Sequence, residues 1–122
     1  MEKTIRKRFD INLTASGERV KEDFQLEKTI GKIKGLTITS DRDDLLYYRG
    51  SQQIEIGGTE IFPEGYEAKL LMTGVSLRPD HRYFPVDIEA GNGIISIAYQ
   101  DTDHPAAAFA AYRVSIYIEA EQ

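Results

Sequence analysis

The amino-acid sequence predicts an all-β protein, an antiparallel β-sandwich of the jelly-roll or Greek-key type with about eight to ten short strands. Apolar residues recur at every second position through most of the chain, which is the period of a strand with one buried face. Gly, Pro, Asn and Asp interrupt this alternation at short intervals, and no long segment has the spacing of an amphipathic helix. At 122 residues, we expect one sandwich domain over residues 1–122.

The first third of the chain contains two long alternating segments. Residues 3–14 form the first predicted strand, in which Lys7 is the one charged residue on the apolar face. After a turn at residues 15–18, residues 20–30 form the second strand. The alternation then slips by one residue at Gly35, and because such a slip inverts the two faces, Gly35 is a candidate β-bulge.

The middle of the chain combines short strands with tight turns. Residues 45–48 are apolar on both faces and are predicted to form a short covered strand. Gly57-Gly58 lies between two apolar pairs and indicates a tight hairpin, because Gly adopts positive φ without strain. A Pro-Gly turn is predicted at residues 63–65, followed by a strand over residues 66–72.

The last third of the chain contains three further strand segments. Pro85 lies in the alternating residues 84–88, and because Pro cannot donate to a ladder, we expect either an edge strand there or a strand that starts at Pro85. A turn at residues 91–93 leads into the next strand. A long connection, residues 101–111, precedes the final strand, whose apolar and polar residues alternate regularly from Tyr112 to Glu119.

The net charge of −5 is unevenly distributed along the chain. Residues 1–34 contain nine Lys and Arg against six Asp and Glu, whereas residues 35–122 contain six against fourteen. Either the basic first strand pairs within an acidic body, or the basic segment of one subunit meets the acidic surface of another. The acidic total argues against nucleic acid as the main partner.

Composition also bears on the compartment. The chain contains no Cys, so nothing in it requires an oxidising environment. We find neither a signal peptide nor an apolar run long enough to span a membrane, which favours synthesis in the cytoplasm or association with a particle, without a membrane partner.

Two acidic clusters are weak candidates for metal binding. Asp101, Asp103 and His104 combine two carboxylates at strand spacing with a ring nitrogen, but no fuller ligand pattern accompanies them. The acidic turn at residues 41–44 could bind Ca²⁺, although Asp is also common in turns because it caps the local backbone. We therefore expect no metal and no other cofactor.

No arrangement of residues indicates catalysis. His81 and His104 lie in predicted loops, there is no Cys nucleophile, and no nucleophile elbow or phosphate loop is present. We therefore expect that the protein is not an enzyme. Some of its seven Tyr could instead form a platform on which a sugar stacks, or they could pack on the strands with their hydroxyls in solvent. These residues are Tyr47, Tyr48, Tyr66, Tyr83, Tyr99, Tyr112 and Tyr117.

The connection before the last strand has an unusual composition. It contains six consecutive non-polar residues, whereas exposed loops are commonly polar. Phe109 either plugs the end of the sandwich or forms an apolar patch that a partner covers. We predict this segment as the interaction site, with the residues Ala106, Ala107, Ala108, Phe109, Ala110 and Ala111.

These observations predict a non-catalytic structural or assembly protein that acts through contacts with itself or with another protein. By fold-level analogy, small Cys-free β-sandwiches serve as subunits or accessory proteins of phage-type particles. The alternative is a β-sandwich module that binds a small ligand, most plausibly carbohydrate, through Tyr and loop carboxylates.

Overall fold

The computed structural model describes residues 4–72 and 83–122, and these contain eight strands, one α-helix and one turn of 3₁₀ helix. The helices are α1 (Asp43–Arg49) and the 3₁₀ helix (Ala68–Leu70). The strands are β1 (Thr4–Leu13), β2 (Arg19–Gln25), β3 (Lys32–Ser40), β4 (Gly50–Ile56), β5 (Thr59–Glu67), β6 (Phe84–Glu89), β7 (Ile94–Asp101) and β8 (Tyr112–Glu121).

The strands form two four-stranded antiparallel sheets, which confirms the predicted all-β sandwich. The first sheet has the order β1-β8-β3-β6 and the second the order β2-β7-β4-β5. The pairings are nested: β4 pairs with β5, β3 with β6, β2 with β7 and β1 with β8. Further pairs, β3 with β8 and β4 with β7, complete the two sheets.

The core lies between the two sheets. It is formed mainly by the side chains at every second position of the strands, which face inward. On β8, for example, Val114, Ile116 and Ile118 are buried as the sequence pattern predicts. Burying each such side chain contributes roughly 1.5–3 kcal/mol to folding. Ser115, predicted to face water, is also buried, and its hydroxyl donates a hydrogen bond of 2.7 Å to the carboxylate of Asp10.

Three turn and edge predictions are confirmed. The pairing register of β3 shifts between Ile33 and Gly35 against both of its neighbours, as expected of a bulge. Gly57 and Gly58 join β4 to β5 with positive φ angles of 59° and 85°. Pro85 lies on β6, which is an edge strand of the first sheet.

The prediction of a strand at residues 45–48 is wrong, because these residues belong to α1. Leu45 and Leu46 are fully buried, whereas Tyr47 and Tyr48 are exposed. Two adjacent buried residues followed by two exposed ones mark the two faces of a helix, and a short apolar run does not distinguish the two structures. Acidic residues in the first turn and Arg49 in the last turn also suit the helix dipole.

The predictions around Pro63 are also wrong. Residues 63–65 lie within β5, where the ladder steps from the pair Gln52–Tyr66 to the pair Ile54–Phe62, so three β5 residues oppose one β4 residue. This irregularity accommodates the turn-like composition without ending the strand. The predicted strand over residues 66–72 is instead the end of β5 followed by the 3₁₀ helix.

The second strand ends at Gln25 rather than at residue 30. Leu26 and Ile30 are nevertheless buried, because the connection to β3 closes the end of the core. His81 lies outside the described residues. No helix of the described part of the chain is long and apolar enough to cross a membrane.

Candidate functional site

The two ends of the sandwich are built differently. One end carries α1, the 3₁₀ helix and residues 102–111, and we call it the α1 end. The opposite end has tighter turns held together by backbone hydrogen bonds, in which Gly57 N–H donates to the carbonyl of Ile94 and Ala90 N–H to that of Gly31. The longer segments of the α1 end offer more varied surface, as loops that carry function commonly do.

A buried arginine organises the α1 end. The side chain of Arg49, the last residue of α1, is inaccessible to solvent and forms a two-point ion pair with Asp101, with Nε–Oδ1 3.0 Å and Nη2–Oδ2 2.8 Å. The remaining N–H groups donate to Ser16 Oγ, the carbonyl of Ala107 and Asp103 Oδ1. All five guanidinium donors are therefore used, as a buried charge requires.

The carboxylate of Asp101 also accepts hydrogen bonds from several groups. Besides Arg49, it accepts hydrogen bonds from the hydroxyl of Tyr112 at 2.7 Å and from the N–H of Gly17 at 2.9 Å. Burial alone raises the pKa of this carboxyl, but the hydrogen bonds from Arg49, Tyr112 and Gly17 outweigh burial and lower the pKa below its usual value. The ion pair thus joins α1, the β1–β2 connection, β7 and residues 102–111.

The two tyrosines beside this ion pair are buried. The hydroxyls of Tyr99 and Tyr112 lie 3.0 Å apart. Burial raises the pKa of both phenols, so both stay protonated at physiological pH. Neither ring is therefore available as a platform for a sugar.

The guanidinium of Arg49 lies between Asp101 and Asp103, two of the three residues that are weak candidates for metal binding by sequence. It binds the carboxylates of both Asp101 and Asp103, so the local positive charge is already present. His104 Nδ1 accepts a hydrogen bond from the N–H of Ala106 at 3.0 Å, and its ring lies against Tyr48. No group of three or more His, Asp or Glu residues in residues 4–72 and 83–122 has the arrangement of a metal site.

The acidic turn before α1 likewise serves local structure. Asp41 Oδ1 accepts a hydrogen bond of 2.8 Å from the N–H of Arg113. Asp44 pairs with Arg42 at 3.0 Å, and the hydrogen bond from Arg42 lowers the pKa of the Asp44 carboxyl. Both contacts fix the connection between β3 and α1.

The predicted interaction segment is partly anchored and partly exposed. Ala107 is buried, and Phe109 is half-buried with its ring centroid 5.4 Å from the guanidinium carbon of Arg49. Ala106, Ala108 and Ala111 are exposed. Phe109 therefore helps to close the end of the core, while three methyl groups of the same segment face solvent.

A cleft of about 510 Å³ opens beside this segment. Tyr47 and Tyr48 line it and make an edge-to-face pair with a centroid distance of 4.9 Å. The Tyr48 ring also lies 5.1 Å from the His104 ring at an interplanar angle of 31°. The other lining residues are Arg49, Gly50, Ser51, Gly65, Glu67, Lys69, Thr102 and His104.

Of the seven tyrosines that the sequence analysis considered, Tyr47 and Tyr48 line this cleft. Tyr66 packs on Phe62 with a centroid distance of 4.7 Å, and Tyr117 lies near the guanidinium of Arg8 on the outer face of the other sheet. The cleft residues Ser51, Glu67 and Lys69 were not predicted, because they carry no motif and meet only when β4, β5 and the 3₁₀ helix fold together.

No protein-family model, curated protein or solved structure matches the chain. A functional conclusion must therefore come from the chemistry of the α1 end, because a fold alone does not specify a function.

Proposed function

We propose that the protein is a non-catalytic assembly protein that binds a second copy of itself through the α1 end. One observation carries the proposal. The large hydrophobic side chains that stay exposed in the described residues all lie at this end: Leu70 is 55% exposed, Tyr47 48% and Tyr48 45%. Single exposed apolar residues are ordinary, but a concentration of them at one place is typical of a contact surface.

The segment Ala106–Ala111 extends this apolar surface. Its exposed alanines project from a backbone that Arg49 and Phe109 hold in place. A contact surface that is ordered before binding loses little conformational entropy on association, which supports binding by this segment.

The basic residues of β1 give less support for assembly than the exposed apolar side chains do. Arg6 pairs with Glu119 at 3.1 Å and Arg8 with Asp10 at 2.9 Å, both within one chain. Lys7 also pairs with Glu27. These contacts favour the interpretation in which the basic first strand is neutralised inside its own subunit, so the proposed contact is mainly apolar.

The connectivity supports a role as a repeated building block. The nested pairing of the eight strands is the arrangement expected of a jelly roll, a fold used by viral capsid subunits and also by lectins. By this analogy in fold, we propose a subunit or accessory protein of a phage-type particle.

Native mass spectrometry and light scattering over a broad concentration range test the proposal. We expect oligomers of the unmodified chain and their loss in Leu70→Asp and Ala108→Asp, because each variant places a charge in the proposed contact. Thr59→Asp is the matched control, since Thr59 is exposed at the opposite end. A chain that stays monomeric throughout, or variants that associate like the unmodified protein, would contradict self-assembly through this end.

A further inference from the structure

We propose that the cleft beside α1 is a binding site for a neutral carbohydrate. This inference shares Tyr47 and Tyr48 with the assembly proposal, but it concerns the interior of the cleft rather than the apolar surface around Leu70 and Ala108, and the variants below separate the two. It uses the aromatic wall, the hydroxyl groups and the charge balance of the cleft.

The wall of the cleft is aromatic and fixed. Tyr48 is 45% exposed, and its position is set by the neighbouring rings of Tyr47 and His104. His104 is itself held by the hydrogen bond from the N–H of Ala106 to Nδ1. A partly exposed aromatic ring that other groups hold in place can pack against the C–H groups of a sugar at little cost in side-chain entropy.

Two hydroxyl groups that have no hydrogen-bond partner among the described residues line the cleft. Ser51 is the second residue of β4, after Gly50, and Thr102 follows β7, where its N–H donates to the carbonyl of Arg49 at 2.9 Å. Neither side-chain hydroxyl has a hydrogen-bond partner in residues 4–72 and 83–122. Each can therefore donate to and accept from the hydroxyls of a ligand.

Gly50 lines the cleft and lets the buried Tyr99 pack directly behind it. A Cβ at this position would lie 2.2 Å from the hydroxyl of Tyr99, so the buried tyrosine requires glycine here.

Each of the two cations of the cleft, Lys69 and Arg49, is already paired with a carboxylate. Lys69 Nζ pairs with Glu67 at 2.9 Å and lies 5.5 Å from the ring centroid of Tyr47. Arg49 is neutralised by Asp101 and Asp103. An anionic ligand would have to displace one of these carboxylates to reach a cation, whereas a neutral polyhydroxylated ligand would add hydrogen bonds without doing so.

The size and rigidity of the cleft suit a short oligosaccharide. Its volume of about 510 Å³ falls within the usual range for ligand sites. Arg49 joins the end of α1 to residues 103 and 107 by hydrogen bonds, so both sides of the cleft are fixed before a ligand enters. Preformed walls of this kind reduce the cost of binding.

Saturation-transfer NMR and calorimetry with defined sugars test the proposal. The probes are glucose, galactose and mannose oligomers as the neutral arm and galacturonic acid oligomers as the acidic arm. We expect at least one neutral oligomer to bind and the acidic oligomers to bind at least tenfold more weakly. Tyr48→Ala should weaken neutral binding at least tenfold, and Ser51→Ala should weaken it severalfold.

Two control variants separate sugar binding in the cleft from sugar binding elsewhere and from assembly. Tyr117→Ala removes a tyrosine from the outer face of the other sheet and should leave sugar binding unchanged. Leu70→Asp, which tests assembly, should also bind sugar like the unmodified chain. The absence of binding by any neutral oligomer, or equal binding by Tyr48→Ala, overturns the proposal. So does a change of oligomeric state in Tyr48→Ala without sugar binding by the unmodified chain, because the cleft would then be a protein contact.

Discussion

At the scale of single residues, Arg49 has the largest structural role at the α1 end. Its side chain is buried, and its charge is stable only because Asp101 lies opposite and every N–H has an acceptor. The hydrogen bonds that Arg49 donates to Asp101 raise the pKa of Arg49, so the guanidinium stays charged. Removing one partner of such a pair leaves a buried charge uncompensated, which costs more than the pair itself contributes.

We therefore predict that Asp101→Asn lowers the free energy of unfolding by about 3–5 kcal/mol. Urea denaturation followed by circular dichroism measures this change. Asp103→Asn is the control, because the Asp103 side chain contacts the same arginine but is 92% exposed, and it should cost less than about 1 kcal/mol. Equal effects of the two variants would contradict a dominant role for the buried pair.

The lowered pKa of Asp101 predicts how stability depends on pH. A carboxyl whose pKa is lower in the folded state than its usual value of 3.8 stabilises the fold above that value. This stabilisation is lost as the pH falls below 3.8 through the folded-state pKa. Urea unfolding between pH 7 and pH 3 should show the decrease, and Asp101→Asn should show a weaker one.

Gln52 offers a stabilising substitution. It faces the core from β4, and neither its side-chain oxygen nor its nitrogen has a hydrogen-bond partner in the described residues. Because a buried polar group without a partner costs about 1–3 kcal/mol, we predict that Gln52→Met raises the free energy of unfolding by about 1–2 kcal/mol. Gln53→Met on the outer face of the same strand is the control and should change stability by less than about 0.5 kcal/mol. A destabilised Gln52→Met protein would show that the amide contributes to stability.

At the scale of elements, each sheet has free edges that carry features known to discourage strand addition. Pro85 interrupts the hydrogen-bonding edge of β6, and β5 contains Pro63 within its irregular pairing. On β1, Lys7 faces inward with Ile5 and Phe9, and its ammonium pairs with Glu27. Inward-pointing charges of this kind oppose the burial that edge-to-edge pairing requires.

We predict that Lys7→Val promotes association through β1. Light scattering should detect a larger species, measured in the Leu70→Asp background so that contacts at the α1 end do not contribute. Arg6→Val is the matched control, because Arg6 precedes Lys7 but faces outward, where it pairs with Glu119. Equal association of both variants would assign the effect to lost charge rather than to the edge.

The sequence predicts the strands better than the other elements, for a physical reason. Alternation with period two continues through β1, β7 and β8, and the turns marked by Gly57-Gly58 and residues 91–93 are local signals. The helix α1 was missed because Leu45 and Leu46 are buried by tertiary contacts that a four-residue apolar run does not reveal. Strand order also requires contacts between residues far apart in the chain, which no local pattern contains.

The candidate site was less predictable than the fold. By sequence, Asp101, Asp103 and His104 are weak candidates for metal binding, whereas Arg49, the partner of both carboxylates, only follows the strand predicted at residues 45–48. Because the helix was missed, neither the ion pair nor the position of Tyr48 beside His104 could be inferred. Sites assembled from several elements become visible only once those elements are placed.

At the scale of the whole molecule, the nested pairing determines how the chain can fold. The pair β4–β5 is local, whereas β1 and β8 pair across almost the whole sequence. Closing long loops costs entropy before distant contacts form, so folding is expected on the scale of milliseconds to seconds. The β4–β5 hairpin is the natural starting point.

Two glycine substitutions test this order of events. Gly58 in the β4–β5 turn and Gly17 in the β1–β2 connection both have positive φ and open space where a Cβ would lie. Substitution by alanine should therefore strain the backbone at both positions by a similar amount, about 1–2 kcal/mol. We predict that Gly58→Ala mainly slows folding, whereas Gly17→Ala mainly speeds unfolding, as stopped-flow measurements would reveal. The opposite result would place the folding nucleus elsewhere.

The pairing of Thr4 with Glu121 has a practical consequence. Both residues lie at the blunt base of the sandwich, beside the turns at Gly57 and at residues 90–93 and on the far side from α1. A fluorescent label attached at Thr4 or Glu121 would therefore lie at the end of the sandwich opposite the cleft. A short linker that joins Thr4 to Glu121 would also give a cyclised scaffold, with which affinity could be measured without fraying of the outermost strand β1.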